Sequence, residues 1–358
     1  MIHIVIGTKA QLIKMAPIMK YLEDHDIFYN YIYTGQHKDT MDDIHENFGI
    51  KNPDIILYKK EDIVSVGGMF GWILRMIYLI IFKSKEIIRN DKKGIVLVHG
   101  DTISTFLGAL LGKFARLKVG HVESGLRSFN IFHPFPEELT RLITFKLSDY
   151  YFCPGKWAVK NLIRYSGVKI DTSANTLYDS LSLALPSIEK YDVEIPAEKY
   201  CVVTIHRFEN LSKYDRMKKL TDFLVELSDE IKVLFIMHNP TKRSLAKHKL
   251  IDNLRNSNIE IRNRYDYFRF IKLLKNSEFV ISDGGSNQEE CFYLGKPVLL
   301  YRMESERQEG LGQNAIISKY DMKIVKDFTD NYKNYRFDPS ILDYNVSEQI
   351  VRSLRNFY

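Results

Sequence analysis

Cysteine is scarce in this sequence: only three of its 358 residues are Cys, at positions 153, 201 and 291. An odd number of widely separated cysteines supports neither a disulfide framework nor a pair of zinc ligands. A basic segment ahead of the apolar start is also missing, so the first residues predict a β-strand and not a signal peptide. A protein of the reducing cytoplasm is therefore expected.

Charge of one sign is not concentrated anywhere along the chain. The sequence has 51 Lys and Arg against 45 Asp and Glu, a net charge of +6, and its basic residues are dispersed. Without a long basic block, binding to nucleic acid is not expected. The mild positive charge favours a phosphorylated small substrate or an acidic membrane surface.

One long apolar run stands out, Ile63–Phe82, and it contains a single charged residue, Arg75. The run is about long enough to cross a bilayer. However, an arginine near its middle costs about 2.5–3.5 kcal/mol, and glycines weaken its first half. We therefore expect either a helix in the core or in a dimer interface, or a surface helix that touches a membrane or a lipid-linked substrate.

Short β-branched runs alternate with helix-length segments in two successive series. The first series is Ile2–Ile6, Ile95–His99, Lys118–Val122 and Tyr150–Cys153, and the second is Tyr200–Ile205, Val233–Met237, Phe279–Ser282 and Pro297–Tyr301. Each series predicts a parallel sheet with crossover helices. The chain is therefore predicted to be an α/β protein of two Rossmann-like, doubly wound domains with a ligand cleft between them. We place the domains at 1–170 and 171–358, and the last helix could pack back on the first domain.

Three carboxylates are expected to meet at one edge of the first sheet. Asp101 and Glu123 each follow a predicted strand, and Glu137 lies in a Pro-Glu-Glu sequence further along. Residues just past the carboxyl ends of parallel strands line the ligand crevice, and crowded carboxylates suit general acid and base catalysis. For any one of them, capping of a helix is the alternative.

Two histidines, His99 and His121, lie two residues before an acid. This spacing alone is a weak metal signal because no Cys and no HExxH helix accompany it. We expect core histidines bonded to the backbone, and no metal.

Anion-binding residues are predicted at four turns. A glycine turn opens the first helix, which carries Lys9 and Lys14, and a second glycine turn spans 283–286. The amino terminus of a helix that follows such a turn can bind phosphate. His206 and Arg207 follow one strand and Arg302 follows another, where a forked guanidinium can meet phosphate oxygens.

Taken together, these motifs resemble the non-hydrolysing UDP-N-acetylglucosamine 2-epimerase family, which has the GT-B fold. The segments that carry the resemblance are TGQH (34–37), VHGDT (98–102), GHVESGLR (120–127), PEE (136–138) with Arg141 after it, TIHRFEN (204–210), DGG (283–285) and QEE (288–290) ahead of LGKPV (294–298). The resemblance implies interconversion of UDP-GlcNAc and UDP-ManNAc, by elimination and re-addition of UDP, for surface polysaccharide precursors. It implies a cytoplasmic homodimer that needs no metal or other cofactor.

The turns and strand ends described above, together with the resemblance, assign roles to individual residues. The catalytic group is Asp101, Glu123, Glu137 and His206. The substrate-binding group is Lys9, Lys14, Arg141, Arg207, Asn239, Gly284, Gly285, Ser286, Glu290, Arg302 and Arg307. Gln36 and His37 would bind UDP-GlcNAc as an allosteric effector.

The sequence also departs from the family pattern. The usual GTRPE is Gly7–Gln11 here (GTKAQ), the usual DSGG is Asp283–Ser286 (DGGS), and the usual TERPE is Ser305–Glu309 (SERQE). These changes affect the phosphate and effector sites more than the three acids, so the sugar nucleotide could differ. A GT-B glycosyltransferase with a lipid-linked or polysaccharide acceptor is the alternative function, followed by a hydrolysing relative and a non-catalytic sensor.

Overall fold

The computed structural model describes residues 1–35, 41–59, 66–131 and 135–358. The chain divides into two compact units, which we call unit 1 (Met1–Leu183 with Tyr344–Tyr358) and unit 2 (Ala184–Asp343).

Unit 1 contains a seven-stranded sheet in the order β3-β2-β1-β4-β5-β6-β7, with every neighbouring pair parallel. Its strands are β1 (Ile2–Ile6), β2 (Tyr29–Tyr33), β3 (Ile55–Ile56), β4 (Ile95–His99), β5 (Lys118–Val122), β6 (Tyr150–Cys153) and β7 (Val168–Asp171). Its helices are α1 (Lys9–Asp24), α2 (Asp42–Phe48), α3 (Val66–Ile87), α4 (Ile103–Phe114), α5 (Glu137–Leu147), α6 (Lys156–Asn161), α7 (Leu177–Ala184) and, at the end of the chain, α15 (Val346–Ser353). The strand order reverses between β1 and β4, and ligands of such sheets bind beyond the carboxyl ends of the strands at that point.

Unit 2 contains a six-stranded sheet in the order β10-β9-β8-β11-β12-β13, again parallel throughout. Its strands are β8 (Tyr200–Thr204), β9 (Lys232–Met237), β10 (Glu260–Asn263), β11 (Val280–Ser282), β12 (Val298–Leu300) and β13 (Ala315–Ile317). Its helices are α8 (Phe208–Leu211), α9 (Tyr214–Leu227), α10 (Asn239–Lys247), α11 (Ile251–Arg255), α12 (Tyr267–Asn276), α13 (Gly285–Tyr293) and α14 (Met322–Asn331). The order reverses between β8 and β11, so the ends of these two strands are the corresponding ligand position.

The division between the units falls after Leu183, whereas the sequence placed it after residue 170. The reason is that α7 belongs to unit 1: Ser180 Oγ donates to the Ile13 carbonyl at 2.8 Å, and Asp179 accepts from the Ser347 N–H at 2.6 Å. The second of these contacts also joins α15 to unit 1, where α15 packs against α1.

Helix α3 contains most of the long apolar run, whose residues 63–65 lie outside the described part of the chain. Trp72, Met76 and Ile80 face the core of unit 1 and are at most 2% exposed. On the opposite face, the exposed apolar stripe of α3 consists of Phe70, Leu74, Tyr78 and Phe82, which are 51–68% exposed. By length and composition, Gly67–Ile87 is the one helix among the described residues that could cross a membrane. One face of the helix therefore lies in the core, as one alternative predicted, and the other face is exposed; its contact with a membrane or a lipid-linked substrate stays a prediction.

Candidate active site

In unit 1, Asp101 and Glu123 follow two neighbouring strands, since β4 and β5 pair up to His99 and Val122. Glu123 is 8% exposed, and its Oε1 accepts from Lys14 Nζ and from Asn175 Nδ2, both at 2.5 Å. Charge-assisted hydrogen bonds of this kind hold a carboxylate in one position. Glu123 is therefore a buried carboxylate, held in one position, directly after β5, where the sequence predicted an acid.

The backbone at Glu123 is unusual. Its φ is +62°, a left-handed conformation that costs a residue other than glycine about 1–3 kcal/mol and that clusters at functional sites. The neighbouring Gly100 has a φ of +67°, and a Cβ there would lie 3.1 Å from Glu123 Oε2. Glycine at position 100 therefore leaves room for the Glu123 carboxylate.

A chain of ion pairs connects Asp101 to α5. Arg141 Nη2 donates to Asp101 Oδ2 at 2.5 Å, and Arg141 Nη1 donates to Glu138 Oε2 at 3.1 Å. Glu137, the third predicted acid, is the first residue of α5 and is half-buried. Arg141 lies one turn after Glu137 on the same helix, so the start of α5 is tied to the loop that carries Asp101, and the meeting of all three acids stays a prediction.

Glu138 was not predicted as a site residue, although it is fully buried beneath this edge. It accepts from Arg127 Nε and from the Ser128 N–H in addition to Arg141. Burial acts to raise the pKa of Glu138, but these donors outweigh it and hold the pKa below its ordinary value. The second Glu of the Pro-Glu-Glu sequence was the available signal, and its partners could not be read from the sequence.

His99 and His121 lie beneath the acids. His121 Nε2 donates to the Gly100 carbonyl at 2.7 Å, and its Nδ1 accepts from Ser124 Oγ at 3.0 Å, which confirms a histidine bonded to the backbone. For His99 that prediction is wrong, since within the described residues neither ring nitrogen has a hydrogen-bond partner. Its Nε2 is instead 3.7 Å from Glu123 Oε2. Burial lowers the pKa of His99 to about 3 and that of His121 to about 4, so both are neutral.

At the first glycine turn, the two lysines that were predicted to bind substrate make ion pairs within unit 1. Lys9 Nζ lies 2.6 Å from Asp43 Oδ2, and Lys14 is held by Glu123, so both predicted cations have carboxylate partners in the structure. Gln11 was not predicted to act, yet its Oε1 accepts from the backbone N–H groups at positions 7 and 8. Gln11 therefore fixes the start of α1.

In unit 2, the buried side chain of Asp283 organises the loop after β8. Its carboxylate accepts from the backbone N–H of His206 at 3.0 Å, from that of Arg207 at 2.9 Å and from Asn210 Nδ2 at 2.8 Å. The sequence showed Asp283 within the glycine motif, but it did not predict these partners.

His206 lies at the end of β8, as predicted, and its ring stacks on His238 with centroids 4.9 Å apart. Burial lowers the pKa of both rings, and that of His238 falls to about 4. Asn239 begins α10 directly after His238 and is exposed. The predicted effector residues Gln36 and His37 lie outside the described residues.

The second glycine turn caps α13, with Gly284 at the N-cap and Gly285 as the first helical residue. A Cβ at Gly285 would lie 2.6 Å from Arg307 Nε, so the absence of a side chain allows this arginine to approach the turn. Ser286 is half-buried in the first turn of the helix. One turn later, Glu290 Oε2 accepts from the Nδ2 group of residue 287 at 2.8 Å. This helix start offers backbone N–H groups and positive charge to an anion.

Three arginines surround this turn. Arg302 Nη2 and Arg207 Nη2 bind the two oxygens of Glu306, at 2.7 and 3.4 Å, and Arg307 Nη1 binds Glu289. Arg302 is 6% exposed, and its Nη1 has no hydrogen-bond partner in the described part of the chain. Burial lowers the pKa of Arg302, and this effect exceeds the opposite effect of Glu306, which raises the pKa. A buried guanidinium donor without a partner is suited to an incoming phosphate oxygen.

Two parallel-sheet units, one with carboxylates at its strand ends and one with a glycine turn and arginines at a helix start, define an enzyme of the GT-B type that acts on a sugar nucleotide. Comparison with known proteins gives the particular family. A sequence model of the UDP-N-acetylglucosamine 2-epimerase family matches residues 20–355. The chain therefore belongs to the UDP-N-acetylglucosamine 2-epimerase family.

Individual relatives agree with this assignment. The chain is 33% identical over 317 residues to a UDP-N-acetylglucosamine 2-epimerase of Bacillus subtilis, in a match that covers 86% of this chain and 80% of that one. The structure is similar to the UDP-GlcNAc 2-epimerases of Methanocaldococcus jannaschii, in complex with UDP-GlcNAc and UDP, and of Neisseria meningitidis, bound to UDP-GlcNAc. The TM-scores are 0.82 and 0.84, each at 27% identity over 99% of both chains. The predicted family, the GT-B fold and the isomerase class are confirmed, and the glycosyltransferase alternative finds no support.

Proposed function

We propose that the enzyme interconverts UDP-GlcNAc and UDP-ManNAc by elimination and re-addition of UDP. A base removes the C2 proton while the bond between C1 and the diphosphate oxygen breaks, which releases UDP and leaves a 2-acetamidoglucal. UDP then re-forms the C1–O bond while an acid returns a proton to the opposite face of C2. No oxidant or reductant enters this balance. The observation that carries the proposal is the pair of carboxylates, Asp101 and Glu123, at neighbouring strand ends of unit 1.

The acids of unit 1 are assigned the proton transfers. Asp101 and Glu123 have cationic partners of their own, Arg141 and Lys14, at 2.5 Å. These hydrogen bonds hold both carboxylates in position at the strand ends, where a base for the C2 proton is needed. Glu137, half-buried at the start of α5, is the third candidate for acid and base work.

Unit 2 is assigned the UDP moiety. The turn Gly284–Ser286 and the arginines around it would bind the diphosphate and stabilise the charge that develops as UDP leaves. The unpartnered, buried Nη1 of Arg302, in the described part of the chain, supports this assignment. Glu290 would accept the ribose hydroxyls. His206 would interact with the diphosphate as it leaves. The contacts of Lys9 and Asn239 with substrate stay predictions.

The direct test is solvent exchange at C2. Incubation of the protein with UDP-GlcNAc in deuterium oxide should introduce deuterium at C2, measured by mass spectrometry and NMR. Asp101→Asn, Glu123→Gln and Glu137→Gln should abolish exchange and leave UDP binding in calorimetry unchanged. The matched control is Asp24→Asn, at an exposed carboxylate of α1 that pairs with Lys20. Full exchange in all three acid variants would remove these acids from the mechanism.

We further propose that a second copy of the chain covers the exposed apolar stripe of α3. Four large apolar side chains on one face form a patch that soluble proteins use for association. Gly67 and Gly71 are also exposed, with no atom within 4 Å of the point where a Cβ would lie, so a partner helix can approach closely there. Phe82→Glu should therefore convert a dimer into a monomer in light scattering, whereas Lys83→Glu, at the next residue, should not. A monomeric wild type that sediments with lipid vesicles would instead favour the membrane alternative.

We propose a cytoplasmic enzyme, since the three cysteines are free and buried. The allosteric role of Gln36 and His37 stays a prediction. Its test is the curve of rate against UDP-GlcNAc concentration, which should lose any sigmoidal shape in Gln36→Ala and His37→Ala.

A further inference from the structure

Asp283 lies at the junction of two elements that the proposed reaction uses. It follows β11 directly and precedes Gly284, the N-cap of α13. Strand β11 pairs with β8, with Ser282 opposite Thr204, so the loop that carries His206 starts beside it. Asp283 therefore lies between the proposed phosphate-binding turn, Gly284–Ser286, and the loop after β8 that carries His206.

The contacts of Asp283 are concentrated on that loop. Its Oδ1 accepts from the His206 N–H at 3.0 Å, and its Oδ2 accepts from the Arg207 N–H at 2.9 Å and from Asn210 Nδ2 at 2.8 Å. Asn210 also donates to the Tyr301 carbonyl at 3.1 Å. A fully buried carboxylate that binds two successive backbone N–H groups fixes the backbone direction, and hence the point from which the His206 side chain extends.

The carboxylate also faces the imidazole itself. His206 Nδ1 lies 3.3 Å from Asp283 Oδ1, which is an ion-pair distance but is not aligned as a hydrogen bond. Catalytic hydrogen bonds are often misaligned without substrate and tighten when it binds. On the other side, the ring stacks on His238, at an interplanar angle of 13°. His206 is thus held between a carboxylate and a second ring.

The charged groups around His206 come from several elements. Arg207 on its own loop, Arg264 after β10 and Arg302 after β12 act to lower the pKa of the imidazole, in addition to burial. Asp283 acts in the opposite direction and raises that pKa. Without this carboxylate, the ring would face positive charge and a second imidazole, and its protonated form would be less stable.

From this geometry we infer that Asp283 is a positioning residue for His206. Its carboxylate directs Nδ1–H of the ring toward itself and leaves Nε2 facing the substrate diphosphate, to which Nε2 donates once the ring is protonated. The inference rests on the proposed function, because it assumes that His206 acts on the leaving group. It adds a residue that does not itself touch substrate. An orienting carboxylate behind a histidine selects the tautomer and stabilises the imidazolium.

The test uses the full chain and two readouts. Asp283→Asn keeps the size of the side chain and removes its charge, so kcat should fall by about 10²-fold, the typical effect of a misplaced catalytic group. KM for UDP-GlcNAc should stay within about threefold, because the group acts on the transition state and not on binding. The imidazole pKa of His206, followed by NMR, should fall. Asp215→Asn, at an exposed carboxylate in the first turn of α9, is the matched control, and its kcat should stay close to that of the wild type.

A wild-type measurement keeps the inference testable if Asp283→Asn does not fold. The ¹⁵N chemical shifts of neutral His206 should show the proton on Nδ1, and a proton on Nε2 would overturn the inference. It would also be overturned if Asp283→Asn raised KM alone, because that result indicates a role limited to the phosphate-binding turn. His206→Asn separates the two proposals. If it abolishes turnover while Asp283→Asn does not, only this inference fails; if it keeps full turnover, the assignment of His206 itself fails.

Discussion

Acidification should destabilise unit 1 through two buried histidines, His99 and His121. They are 3% and 1% exposed, and burial lowers their pKa values from 6.5 to about 3 and about 4. His121 is held in its neutral form, with Nε2 donating to the Gly100 carbonyl and Nδ1 accepting from Ser124 Oγ. Protonation of Nδ1 would break the second of these hydrogen bonds and place a charge in the core.

The sign and size of the effect follow from these pKa values. Above pH 6.5 both histidines are neutral in the folded and the unfolded chain, so neither reduces the free energy of unfolding. As the pH falls below that value, the unfolded chain binds protons and the native chain does not. Each pH unit then costs about 1.36 kcal/mol per histidine. At about pH 5 the loss is about 2 kcal/mol for each, or about 4 kcal/mol for the pair, and it continues until the native pKa values are reached.

Urea unfolding at about pH 7.5, 6 and 5, followed by fluorescence and circular dichroism, measures this loss. His121→Gln should reduce the acid-dependent part of the unfolding free energy by about 2 kcal/mol at about pH 5, because glutamine does not titrate. His25→Gln, at an exposed histidine of the same unit, is the matched control and should keep the wild-type dependence. A native-state NMR titration that placed the pKa of His121 near its ordinary value of 6.5 would refute the reasoning, since the ring would then gain no stability from being neutral.

Two substitutions test the packing around the site and in α3. Gly285→Ala places a Cβ 2.6 Å from Arg307 Nε, so UDP affinity in calorimetry should fall at least about tenfold, whereas Gly71→Ala, where the space is open, should leave it unchanged. An unchanged affinity for Gly285→Ala would show that Arg307 can move away without loss. Trp72→Ala should lower the free energy of unfolding by about 3–5 kcal/mol because the indole is buried. Lys85→Ala, at an exposed residue of the same helix outside the apolar stripe, should lower it by less than about 0.5 kcal/mol, and equal losses would contradict the orientation of α3.

Eight strands of the two sheets could be predicted from the sequence because they are buried on both faces, whereas the interior strand β2 was missed although its five residues are all buried. Strands β1, β4, β5 and β6 have the predicted bounds, and β8, β9, β11 and β12 differ by one residue at one or both ends. Such strands are continuous β-branched runs that end at Gly or Asp. All four edge strands, β3, β7, β10 and β13, were missed as well. Polar residues interrupt β7 and β10, as in Val168–Asp171, and β3 and β13 are only two and three residues long. Because β7 was not recognised, the sequence put the boundary between the domains inside this strand, whereas the compact units divide after Leu183.

Site residues could be predicted where position alone defines the role. Asp101 and Glu123 follow strands, and any residue at that position faces the ligand edge of a parallel sheet. Glu138 and Asp283 were missed as positioning groups because their roles depend on donors from other segments, namely Arg127 and the N–H groups of residues 206 and 207. No pattern of spacing contains that information, since the partners meet only when the sheets form.

The opening motif departs from the family pattern at Gln11, which replaces the usual Glu, and the contacts of the amide explain this change. Its Oε1 accepts from two backbone N–H groups, as a carboxylate oxygen would, and its Nε2 donates to the His99 carbonyl at 2.8 Å and to Thr105 Oγ1 at 2.9 Å. A carboxylate is an acceptor only and could not donate to the His99 carbonyl. The glutamine therefore ties the start of α1 to the end of β4, two residues before Asp101. Because the change strengthens the scaffold beneath the acids and removes none of them, it does not weaken the case for epimerase chemistry in this chain.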